Sequence, residues 1–200
     1  MKKTLQKHTG YFDLLEAFQK ARVCALCELE DRDTRRYLDN LLYENVNDVG
    51  VRGNLARSRG YCRRHAHMLL EFADGLGTAI LYRDQVLMVL EFLKNQRDSS
   101  PKLCRRNLPK AWNHDAACPA CAIQAQGRQG YISTLLEWLE EPEMQAAFDA
   151  SPGLCVPHML LVLQQVRGEA KRDHLLKVQE SKFQNLAHEL AEFIRKHDYR

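Results

Sequence analysis

Six of the seven cysteines and two of the eight histidines fall into one pattern that occurs twice. The first copy reads Cys24-Ala25-Leu26-Cys27, then Gly60-Tyr61-Cys62-Arg63-Arg64-His65. The second reads Cys118-Pro119-Ala120-Cys121, then Gly153-Leu154-Cys155-Val156-Pro157-His158. Both are C-x2-C followed by G-x-C-x2-H, with 35 positions from Cys27 to Cys62 and 34 from Cys121 to Cys155. Three thiols and one imidazole make a closed tetrahedral zinc set. One short turn brings the two sulfurs of C-x2-C to one side of a metal, and C-x2-H supplies the other side. Taken copy by copy, the expected sites are Cys24, Cys27, Cys62 and His65, and Cys118, Cys121, Cys155 and His158. A divalent ion with three thiolates and a neutral imidazole carries one net negative charge. Helix N-termini beside it would stabilise that charge and the thiolates.

Zinc, two per chain, is the expected cofactor. The alternative is an electron-transfer or redox-sensing protein with two iron–sulfur clusters, since such clusters also take cysteine and histidine ligands. The C-x2-C-x2-C run of bacterial ferredoxins is absent. Neither C-x2-C is followed by histidine, which excludes c-type haem attachment. No βαβ pattern surrounds either dithiol, which argues against a thiol oxidoreductase. A third reading is a zinc-dependent redox switch in which oxidation ejects the metal. His114 and His67 read as surface residues beside the motifs, and Cys104 as a thiol outside the pattern.

Helices must position these ligands. Leu29, Tyr37, Leu38, Leu41 and Leu42 recur at helical spacing and predict a helix from Cys27 to about Glu44. The segment from Asn45 to Gly60, rich in Gly, Asn and Arg, reads as a loop. A helix then runs from about Cys62 through Phe72 to Asp74-Gly75. Another, from Thr78 to Gln96, is apolar over a wide arc and predicts a buried central helix. The second copy repeats the order: a helix from Pro119 through Leu139, a short acidic helix from Glu143 to Ala150, a helix after Cys155 and a last one from Lys171 to Lys196. Asp98-Ser99-Ser100-Pro101-Lys102 is the natural linker. Helices are also expected from Tyr11 to Ala21 and from Leu103 to Trp112. The expected fold is an all-α helical bundle of two tandem pseudo-repeats, 1–98 and 99–200, packed on the helices 78–96 and 171–196, each with a Cys3His site.

Charge is uneven. The chain carries +3 in all, but residues 50–110 carry +7 and residues 111–152 carry −5. Arg52, Arg57, Arg59, Arg63 and Arg64 invite nucleic-acid or anion binding. The second copy has no such arginines, and the pI of about 8.5 is below that of a basic nucleic-acid domain. The other reading docks these arginines on the acidic helix Glu137 to Glu143. There is no apolar run long enough for a membrane span, and no signal core follows the basic first residues. The expectation is a soluble cytoplasmic protein with an unidentified protein partner. No nucleotide-binding glycine loop, GxSxG or HExxH occurs, so binding or scaffolding is expected over catalysis.

The paired motifs, together with Gly75-Leu76-Gly77-Thr78-Ala79-Ile80-Leu81-Tyr82-Arg83-Asp84, resemble an uncharacterised prokaryotic family. The resemblance covers nearly the whole chain. It implies the duplicated architecture and says nothing of mechanism.

Overall fold

The periodicities call for helices throughout, and no strand occurs among the described residues of the computed structural model, which are 7–97, 108, 112 and 116–197. The helices are α1 (Thr9–Lys20), α2 (Ala25–Asn40), α3 (Val49–Arg57), α4 (Arg63–Leu70), α5 (Gly75–Arg97), α6 (Pro119–Trp138), α7 (Pro142–Ala150), α8 (Val156–Gln165) and α9 (Glu169–His197). A π turn, Leu41–Asn45, prolongs α2. The expected linker at 98–102, Cys104, His114 and most of the helix Leu103 to Trp112 lie outside the described residues.

The chain forms two compact units, and they are not the two halves 1–98 and 99–200. One unit consists of 1–31 and 127–200, the other of 32–126. The boundaries fall inside α2 and inside α6. The reason is mechanical. A continuous helix of 16 or 20 residues is roughly 24–30 Å long, so its two ends reach different cores.

In the first unit α1 buries Tyr11, Leu14, Leu15 and Phe18, one face at helical spacing. They pack with Leu26, Leu29, Ile132, Leu135, Leu139, Met144 and Phe148. Phe18 meets Phe148 of α7 edge-on, with ring centroids 5.3 Å apart. At the other end of α1, Tyr11 donates to Glu141 (2.9 Å) and Lys7 donates to the same carboxylate (3.0 Å). Glu141 is also the N-cap of α7, accepting from the Met144 amide at 3.0 Å. One carboxylate therefore caps one helix and anchors another.

In the second unit the core is Leu38, Leu41, Leu42, Leu55, Met68, Leu69, Leu81 and Ala120. The segment expected as a loop, Asn45 to Gly60, contains α3. Asp48 caps it, accepting from the Val51 amide at 2.7 Å, and Leu55 is buried. A cap and one apolar anchor outweigh the low helix propensity of Gly50 and Gly53. Arg52 pairs with Asp84 at 2.6 Å, tying α3 to α5.

The long helices are not buried centres. α5 buries only Gly77 and Leu81, while Leu90 and Leu93 are 48% and 55% exposed. α9 buries Leu175 and Gln179, while Phe193 and Ile194 are 61% and 65% exposed. Each unit's core is filled by its shorter helices, which leaves the wide apolar arc of the long helix facing outward.

Two measurements check this packing. Phe148→Ala leaves a cavity against Phe18 and should cost about 3–5 kcal/mol of stability in urea titration. The Glu141 carboxyl is held down to about 2, first by the Met144 amide and then, against some desolvation, by Lys7 and Tyr11. A depressed carboxyl stabilises the fold above its unfolded value of 4.5, and that contribution fades as pH falls towards 2. The gap in urea midpoint between the wild type and Glu141→Gln should be full at pH 7 and shrink steadily below pH 5.

Candidate metal centres

Each ligand pair sits at a helix start. Cys24 immediately precedes α2, and its carbonyl accepts from the Cys27 amide at 3.0 Å, closing the C-x2-C turn. Cys155 is the N-cap residue of α8, and Cys62 that of α4. The histidine three residues on lies on the same face, one turn into the helix. The backbone before each of these helices is fixed by a glycine at positive φ, Gly153 (+84°) and Gly60 (+97°). A Cβ on Gly153 would lie 2.6 Å from the Gln179 side-chain oxygen, and one on Gly60 3.1 Å from that of Gln85. Gln179, buried on α9, accepts from the Leu154 amide (2.7 Å) and donates to the Leu154 carbonyl (2.9 Å). It clamps the loop that presents Cys155. Sequence reasoning missed it, because a lone glutamine on a charged helix carries no signal.

The eight side chains converge in two groups of four, and the grouping is crossed. Cys24 and Cys27 meet Cys155 and His158; Cys118 and Cys121 meet Cys62 and His65. The copy-by-copy sites are therefore corrected: each C-x2-C joins the C-x2-H of the other copy. Each group lies wholly within one compact unit. After its C-x2-C the chain enters a long helix whose far end belongs to the other compact unit, and it presents its own C-x2-H there.

In the first group His158 Nδ1 lies 3.4 Å from Cys24 Sγ, 3.4 Å from Cys27 Sγ and 3.2 Å from Cys155 Sγ. Cys27 and Cys155 sulfurs are 3.7 Å apart. In the second, His65 Nδ1 lies 3.3, 3.6 and 3.4 Å from Cys62, Cys118 and Cys121. Cys62 and Cys121 sulfurs are 3.6 Å apart. Ligands placed tetrahedrally at zinc bond lengths stand about 3.8 Å apart for two sulfurs and about 3.6 Å for sulfur and nitrogen. Both groups fit one ion of that kind.

Behind the first group, His158 Nε2 faces the buried carboxylate of Glu30 at 2.8 Å. Arg128 stands 3.5 Å from the same oxygen. A proton held on Nε2 leaves Nδ1 unprotonated and aimed at the sulfurs. Glu30 also escaped sequence reasoning, since a glutamate on an amphipathic helix reads as solvent-facing. Its one signal is position: three residues after Cys27, on the same helix face.

The thiols respond to one another. Burial pushes Cys24 up, but His158 and the backbone amides of Cys155 and Cys27 bring it down to about 7. Burial and the neighbouring sulfurs Cys24 and Cys155 hold Cys27 well above the usual thiol range. Cys121 is pushed up to about 12, by burial and then by Cys62 and Cys118. Three sulfurs this close cannot all ionise without a cation between them.

Of the arginines, Arg52 is taken by Asp84 and Arg57 by Asn54. Arg59 lies over the Trp112 ring at 4.9 Å. Arg63 and Arg64 stand exposed on the first turn of α4, beside the second group. The acidic stretch is engaged within the first unit instead: Glu140 pairs with Lys171, Glu141 and Glu143 with Lys7. His67 is exposed and belongs to neither group. No described helix is long and apolar enough to cross a membrane.

The fold and site together define an all-α protein with two Cys3His groups able to hold a metal. The chain belongs to a family of unknown function, DUF6062, which it matches over residues 1–200. It is 29% identical over 189 residues to an uncharacterised 23.9 kDa protein encoded in the xynA 3′ region of Caldicellulosiruptor sp. strain Rt8B.4. That match covers 94% of this chain and 88% of the relative. No solved structure matches.

Double variants separate the two groupings. Cys27→Ser with Cys155→Ser removes two ligands from one group, so one metal per chain should remain. Cys27→Ser with Cys62→Ser damages both groups, so none should remain. Copy-by-copy sites would reverse the two results in metal analysis of the purified proteins.

Proposed function

We propose that the protein is a cytoplasmic binding or scaffolding module whose two units are each closed by a structural zinc ion. The observation that carries this reading is the spacing of the ligands. The ligands of a multi-iron cluster are divided among at least two irons, so the whole set cannot stand close together. All four ligand atoms of each group lie within 4.8 Å of one another, which leaves room for one ion. All four ligands being protein side chains favours a structural over a catalytic site, because a catalytic zinc keeps an open position. The binding free energy of such an ion is folding free energy.

A tandem duplication accounts for the repeated motif. At a constant offset of 94 residues, Cys24, Cys27, Tyr37, Leu41 and Leu42 fall on Cys118, Cys121, Tyr131, Leu135 and Leu136. The outward apolar residues of α5 and α9 support a protein partner. The exposure of Arg63 and Arg64 on the first turn of α4 favours an anionic one. The exposure of Cys27 favours the redox-switch variant of this reading, in which peroxide oxidises the thiols and ejects the metal.

Protein purified without oxygen should contain two zinc per chain and be colourless. Iron with sulfide and a visible band would overturn the assignment. Removing the zinc with a chelator should abolish cooperative unfolding followed by circular dichroism, and adding it back should restore it. Mild peroxide releasing zinc together with thiol loss would select the redox switch; inert thiols would reject it.

A further inference from the structure

The offset that superposes the two C-x2-C motifs exposes a difference between the centres. Behind His158 stand Glu30, on α2, and Arg128, on α6, a carboxylate and its counter-ion. The residues at the corresponding positions of the other copy are Gln124 and Thr34. In sequence, the positions that carry a charged pair at one centre carry two neutral side chains in the other copy. A carboxylate that accepts the distal imidazole proton makes the ligating nitrogen a better donor, and it locks the ring in place. Removing such a partner typically costs 10–100-fold in metal affinity. The neutral amide of glutamine lacks that charge.

Resting on the reading of both groups as zinc sites, we propose that the two centres are unequal. The centre of Cys24, Cys27, Cys155 and His158 releases its metal more slowly to a competing chelator, with Glu30 as its positioning residue. The centre of Cys62, His65, Cys118 and Cys121 exchanges its metal first. Burial agrees with this order for Cys24 only: it is buried, Cys155 and all three cysteines of the second centre are half-buried, and Cys27 is exposed.

The test is zinc release from the full-length protein to an excess of a chromogenic chelator. The wild type should release its zinc in two phases of equal amplitude, with rates at least ten-fold apart. Cys62→Ser should abolish the fast phase, and Cys155→Ser the slow one. Glu30→Gln should speed the slow phase ten- to hundred-fold and leave the fast one unchanged, while Glu30→Asp should restore part of the difference. A merely structural role for Glu30 would leave the phases apart and lower only the urea midpoint. A single phase releasing both ions, or two phases insensitive to Glu30→Gln, would overturn the inference. Protein purified with no zinc would instead sink the reading on which it rests.

Discussion

Four ligand atoms must come within a few ångströms of one another, and the chain between the two halves of each motif sets out along a long helix. That conflict organises the molecule. A helix cannot be bent back on itself without breaking its hydrogen-bond ladder. The chain that leaves Cys27 along α2 therefore delivers its next ligands, Cys62 and His65, to the unit that α6 enters at Cys118. The return is reciprocal: α6 leaves Cys121 and leads to Cys155 and His158, in the unit where α2 begins. Each compact unit is thereby assembled from both copies of the motif.

The crossing has an energetic consequence. A metal in either group joins segments more than 120 residues apart in one case, Cys27 and Cys155, and nearly 60 in the other, Cys62 and Cys121. Closing loops of that length removes more freedom from the unfolded chain than closing a 35-residue one, although the increase is only logarithmic. Helix starts, positive-φ glycines and, in the first unit, the Gln179 clamp orient the backbone that presents the ligands. Lys7, Tyr11 and Glu141 fasten α1 to α7 in the same unit.

Charge sets the character of each centre. Three thiolates at one point need a divalent ion, helix N-termini and whatever counter-charge stands behind the histidine. The first unit sets Glu30 and Arg128 behind His158, whereas Arg63 and Arg64 stand exposed on the first turn of the helix that carries His65. The same ligand set is thus placed in two electrostatic surroundings.

The sequence by itself determined the all-α class, the ligand types and most helix limits, because these are local properties. Periodicity shows in Leu38, Leu41 and Leu42; helix starts show in Pro119 and in the C-x2-H motifs. It could not say which C-x2-C meets which C-x2-H. The spacings of 35 and 34 residues are so nearly alike that both groupings satisfy every local rule. The missed helix α3 depended on a single cap, Asp48, within a glycine-rich stretch. The apolar arc of α5 announced burial, yet periodicity says only that a face exists, never what lies opposite it. Glu30 and Gln179 act on residues 128 and 25 positions away, beyond any window of sequence. Tertiary structure decided these matters, since only the path of rigid helices through space settles which distant side chains become neighbours.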